Sequence, residues 1–225
     1  MIGVIGEGSR GAEERGGDGI QWLADTDGEV AGVVFARGIP PEELARRMGA
    51  DPAAATGPIS GREIWDLDIE TYRPGDDGDG VIRVGEQDGW SFAIEYGDST
   101  GGELLTEIAR EGAEVVHFRP MPEQPPALLD YARDGAVLCG FGLGQERWRW
   151  GQEPDLLVPE LIAANVLEAD GVTPCTPGLG PATGVRRRTL GAVGRHFGLR
   201  LPRGVLGELR LPAYVVRGRP ELEPR

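Results

Sequence analysis

The sequence predicts an α+β fold, a central and mainly antiparallel sheet with helices packed on one face. Three observations lead there. Residues 80–96, GVIRVGEQDGWSFAIEY, hold two alternating runs around Asp88-Gly89, the short-range signature of a β-hairpin. Trp90, Phe92 and Ile94 fall on one side of the second arm, which marks that face as core. Segments with helical spacing, bounded by Pro or Gly, stand between the strand-like runs.

In chain order, residues 1–18 read as a flexible leader. Gly6, Gly8 and Gly11 match a dinucleotide fingerprint, but Gly16, Gly17 and Gly19 break the helix whose N-terminus would face a pyrophosphate. Residues 19–170 form the expected core domain. Ile20 to Ala24 and Val30 to Ala36 read as a strand pair turning at Thr26-Asp27-Gly28, and Pro40 to Met48 as a short helix ended by Gly49. Ile64 to Tyr72 alternates Trp65, Leu67 and Ile69 with Asp66, Asp68 and Glu70, a strand with three carboxylates on one face. Asp76 to Gly80 has a calcium-like composition without the spacing of a calcium loop.

Thr100 and Glu103 suggest a capping box for a helix from Gly101 to Glu111, closed by Gly112. Glu114 to Phe118 is a strand. On periodicity alone, Ala127 to Arg133 fits either a strand, paired with Ala136 to Phe141 across Asp134-Gly135, or a helical turn. Cys139 to Gly144, CGFGLG, has glycines on one strand face, where a backbone or a ligand can approach closely. In Gln145 to Asp155, Trp148 and Trp150 share a face opposite Arg147 and Arg149, and at least one of the two tryptophans is expected in the core. Pro159 to Leu167 reads as a helix and residues 171–184 as a linker. A helix at Val185 to Phe197 and a strand at Leu209 to Val216 form a C-terminal segment, 185–225, that docks on the core.

Several of these runs resemble an actinobacterial family catalogued as a domain of unknown function. They are GWSFAIE at 89–95, YARDG at 131–135 and RWGQEPD at 149–155. The similarity runs from about Val33 to about Val166, with an echo near Leu190 to Leu201. It implies a shared fold, a bacterial intracellular setting and the strand reading of residues 127–133, but no activity.

Charge and composition narrow the function. All 23 basic residues are arginine and the net charge is −14. An acidic surface repels nucleic-acid and membrane phosphates, and the absence of lysine excludes Schiff-base chemistry. Residues 184–225 reverse the sign, with ten arginines against three acids. That segment is expected to dock on the acidic body and is the one place where nucleic acid could bind. Cys139 and Cys175 lack metal or redox spacing; two free thiols in a cytoplasmic setting are expected, with a disulfide between them left open. No run approaches the ~20 apolar residues of a membrane helix.

No catalytic motif stands out, and no metal or cofactor is expected. His117 reads as a core histidine in an apolar strand, and His196 as a helix-end residue. The favoured reading is a non-catalytic intracellular protein-interaction or regulatory module, with Trp148, Trp150, Arg147 and Arg149 as the contact surface and another protein as partner. The alternatives are a carboxylate- or metal-dependent enzyme using Asp66, Asp68, Glu70 and Glu95, or a small-ligand binder using the glycine-lined wall.

Overall fold

The computed structural model describes residues 19–26, 28–51, 55–66, 79–97, 100–175 and 183–217. Val33 to Ala36 leave no side of their strand suited to water, so β1 (Gly32–Arg37) lies inside a sheet covered on both faces. It pairs antiparallel with β4 (Trp90–Gly97) on one side and β5 (Glu114–Arg119) on the other. β3 (Asp79–Gln87) joins β4 through Asp88 and Gly89, whose φ values of 51° and 79° are those of a primed hairpin turn. Asp134 and Gly135, at 51° and 78°, turn β6 (Leu128–Arg133) into β7 (Ala136–Gly142) in the same way. The 127–133 segment is therefore a strand.

With β2 (Thr56–Ile59), the two-residue β8 (Arg149–Trp150) and β9 (Leu211–Arg217), the sheet has nine strands in the order β2-β9-β3-β4-β1-β5-β6-β7-β8, and every pairing is antiparallel. The last strand in sequence lies next to last in space, between β2 and β3.

Helices cover both faces, where the sequence suggested one. Val34, Ala36, Ala93 and Val115 face α1 (Pro41–Arg47) and α2 (Leu105–Ile108), packing on Leu44, Met48, Leu105 and Ile108. Val33, Phe35, Trp90, Phe92 and Ile94 face the other way, against α3 (Val158–Ala163) and α4 (Thr183–Phe197), through Leu161, Leu190, Val193 and Phe197. The reason is the doubly apolar β1: a strand buried on both faces needs two covers. Trp90, Phe92 and Ile94 lie side by side beneath α4, and the Trp90 indole N–H donates to the Phe197 carbonyl at 3.2 Å.

Three local expectations fail. Ile20 to Ala24 does not pair with β1, both of whose edges are taken by β4 and β5; residues Gln21–Asp25 form a 3-10 turn instead. Its Trp22 indole donates to the Leu201 carbonyl at 2.8 Å, and Ile20 approaches α4 at Gly194, where a Cβ would come within 3.1 Å of it. Glu63–Asp66 is likewise a 3-10 turn rather than the start of a strand. Residues 67–72 lie outside the described residues, as do the leader and the 176–182 part of the expected linker. The capping box at Thr100 does not form. The Thr100 hydroxyl donates to the Met48 carbonyl at 3.4 Å, Glu95 takes the Gly101 N–H, and the helix shrinks to the four residues of α2. Long-range partners win over the local cap.

Candidate functional site

Where β7 runs out, the chain folds back as β8 and forms the outer edge of the sheet. Trp148 is 64% exposed and Trp150 40%, so neither is in the core, contrary to the expectation that at least one would be. The two do not share a strand face, because β8 contains only Arg149 and Trp150. Trp148 precedes it in a turn closed by its N–H to the Gln145 carbonyl at 2.8 Å, and the Arg147 guanidinium stacks 5.0 Å from the Trp148 ring centre. A cation held over an indole in water contributes about 0.5–1 kcal/mol and keeps both groups presented outward.

Trp150 lies flat instead. Its indole N–H donates to Asp130 Oδ1 at 2.8 Å, and a Cβ on Gly140 would sit 2.2 Å from that nitrogen. Gly142 makes similar room for Pro126, at 2.5 Å. Gly140 and Gly142 thus admit the protein's own side chains, while a Cβ on Gly144, at φ 85°, would meet nothing within 4 Å. Arg149 is only 10% exposed. It bridges Asp155 Oδ1 at 2.7 Å and the Glu146 carbonyl at 2.7 Å, which makes it a strut beneath the edge rather than part of its contact surface. Glu146, 2% exposed, accepts from the Gly144 N–H and the Thr189 hydroxyl and so ties the same loop to α4.

Of the carboxylates proposed for catalysis, the described structure places one, Glu95. Glu95 is wholly buried on the α1/α2 side of the sheet, where its Oε1 accepts the Gly101 N–H at 2.7 Å and its Oε2 lies 3.2 Å from His117 Nε2. The Asp66 side chain, Asp68 and Glu70 lie outside the described residues. Glu95 and His117 face each other from β4 and β5, with β1 between them. The pair is 0% and 1% exposed and is shaped to hold the sheet to the 100–102 loop. Gly101 lies so close that a Cβ there would come within 2.5 Å of Val34. Among the described residues no three His, Cys, Asp or Glu side chains gather as metal ligands. Both cysteines are free; burial lifts the Cys139 thiol to about 11, and it donates to the Pro154 carbonyl.

The sequence reading missed Arg83. It sits in the middle of β3, is fully buried, and gives its guanidinium to the carbonyls of Ile59, Val205 and Leu209 and to the Tyr96 hydroxyl. In the sequence it shares a side of its strand with Val81, opposite Ile82 and Val84. The signal available was its neighbour across the hairpin: Ile94 pairs with Arg83 and is itself core.

A family model described as "Family of unknown function (DUF6461)" matches residues 21–171. This chain belongs to that family. No curated protein and no solved structure matches it. The DUF6461 segment contains the tryptophan edge, the Glu95–His117 pair and Cys139, and it ends before α4 and β9. Two of the three carbonyls that satisfy Arg83 therefore come from beyond the DUF6461 match.

Proposed function

We propose that this DUF6461 protein is a non-catalytic intracellular interaction module that holds another protein at its β8 edge, through Trp148, Arg147 and the exposed rim of Trp150. The observation that carries the reading is Trp148, the most exposed large apolar side chain among the described residues, held outward under an arginine at an open sheet edge. Tryptophan and arginine are the residue types that dominate binding energy at protein interfaces, and an edge strand offers unpaired backbone groups beside them. Glu95, by contrast, is sealed against His117.

The test is affinity capture from the native cell with the wild-type chain and with Trp148→Ala. A partner recovered in stoichiometric amount by the wild type and lost with the variant supports the reading. No such partner, or equal recovery by both, overturns it. An interface anchor of this kind is worth about 2 kcal/mol or more, so affinity for an identified partner should fall at least ~30-fold.

A further inference from the structure

Beside the first turn of α4, three stretches distant in sequence enclose a cavity of about 430 Å³. They are Pro125-Pro126 ahead of β6, Leu143 to Glu146 after β7, and Val166 with Pro174 and Cys175 after α3. Val185 and Arg186 close it from the helix. That volume suits one small organic molecule. Much of the apolar wall is within reach of an occupant: Pro125 and Pro174 are exposed, and Pro126 and Val185 are half-buried. A Cβ on Gly144 would meet nothing within 4 Å, so open space begins at the backbone of the β7–β8 loop.

One cation stands in this wall. Arg186 is half-buried, and it makes no ion pair or hydrogen bond among the described residues. Its neighbours are better placed: Arg187 pairs with Asp25, and Arg188 is exposed to water. The first turn of α4 contains no acidic residue, and positive charge at a helix N-terminus is unfavourable. Arg186 therefore bears both a desolvation cost and a dipole cost, which an anion beside it would relieve. Glu146, the carboxylate in the lining, does not serve. It is 2% exposed, and its Oε1 accepts from the Gly144 N–H and the Thr189 hydroxyl. A guanidinium fork takes a carboxylate through two parallel hydrogen bonds, and the proline and valine surfaces beside it take an apolar body.

We propose that this cavity binds a small organic acid of arylalkanoic size, with its carboxylate on Arg186 and its apolar body against Pro126, Val185 and Leu143. Gln145, whose carbonyl holds the Trp148 N–H, stands in the same wall, but the binding needs nothing from the tryptophan edge.

Isothermal titration calorimetry with 3-phenylpropanoate, 3-phenylpropanol and acetate, at about 150 mM salt, tests it. Saturable binding of 3-phenylpropanoate below about 1 mM is expected. The alcohol should bind at least about tenfold more weakly, and acetate should give no saturable heat in that range. Arg186→Gln should bring the acid down to the affinity of the alcohol. Because Arg186 holds no partner, the variant should keep the wild-type urea midpoint. Arg188→Gln and Trp148→Ala should bind as the wild type does. Occupancy has its own readout: Cys175 is half-buried in the wall and Cys139 is buried, so bound acid should slow the reaction of Cys175 with a thiol reagent. Absence of saturable heat with the acid overturns the proposal, as does binding that leaves the Cys175 rate unchanged. Equal affinity of the wild type for acid and alcohol overturns it in favour of a purely apolar pocket. A loss with Arg188→Gln as large as that with Arg186→Gln overturns it in favour of diffuse charge attraction.

Discussion

Arg83 shows what one buried side chain can hold together. Its donors reach β2 through Ile59, the 3-10 turn Arg203–Val205 through Val205, the stretch before β9 through Leu209, and β4 through Tyr96. Replacing it with Met would fill part of the volume but leave those carbonyls unsatisfied, at about 1–3 kcal/mol for each one that water cannot reach. Arg83→Met should therefore lower stability by about 3 kcal/mol or more, read as a shift in the urea midpoint without a change in fold. Burial also raises the Tyr96 hydroxyl above its ordinary range, against the opposing pull of Arg83. Cys139 offers a cleaner readout. Its folded pKa of about 11 lies above the ordinary thiol value, so the folded state keeps a proton that the unfolded chain releases first. Its contribution is complete below pH ~8.5 and is lost as pH rises towards 11. Stability should decline over that window, and the decline should be smaller in Cys139→Ala. At neutral pH, Cys139 should resist alkylation until the protein unfolds.

At the scale of elements, both hairpins rest on an Asp-Gly pair with positive φ at both positions. Gly135→Ala would place a side chain at φ 78° and should cost about 1 kcal/mol in thermal or urea unfolding. That much of the sheet was legible in the sequence, because a two-residue turn and a two-residue alternation are local. The pairing within residues 80–96 followed from them, whereas residues 127–133 fitted a helical turn as well and took their strand reading from the family resemblance. What was not legible was anything decided at a distance. The Ile20 segment has strand-like composition, yet both edges of β1 were already taken. Thr100 and Glu103 have capping-box spacing, yet the Thr100 hydroxyl turns to the Met48 carbonyl and Glu95 takes the neighbouring Gly101 N–H. Arg47 is another case. It leaves the last turn of α1 for the carbonyls of Ile108 and Arg110 at the end of α2, while pairing with Glu43 and Glu111. A cation at a helix C-terminus is favourable, and here it is supplied by a different helix. The candidate site was half visible: Trp148 and Arg147 were named from composition, but the sequence could not tell that Trp150 would lie down on Gly140 or that Arg149 would turn inward.

For the molecule as a whole, acid is the condition that loosens it. Glu43, Glu63 and Asp170 are each held at about 2 by hydrogen bonds: Glu43 by Arg46 and Arg47, Glu63 by Ser60 and Arg210, and Asp170 by Thr173 and Val172. A lowered carboxyl pKa contributes stability that is complete above the unfolded value near 4 and disappears as pH falls to about 2. Unfolding at pH 3 should therefore need less urea than at pH 6. Salt should weaken the same contribution, because these groups sit at the surface. The placement of β9 has a consequence of another kind. The ribosome releases the chain from its N-terminus, so β3 waits with one flank unzipped until residues 211–217 have cleared the exit tunnel, and Arg83 waits with it. A nascent chain paused after residue 175 should remain open to protease and gain resistance in one late step once the final strand slides into its slot.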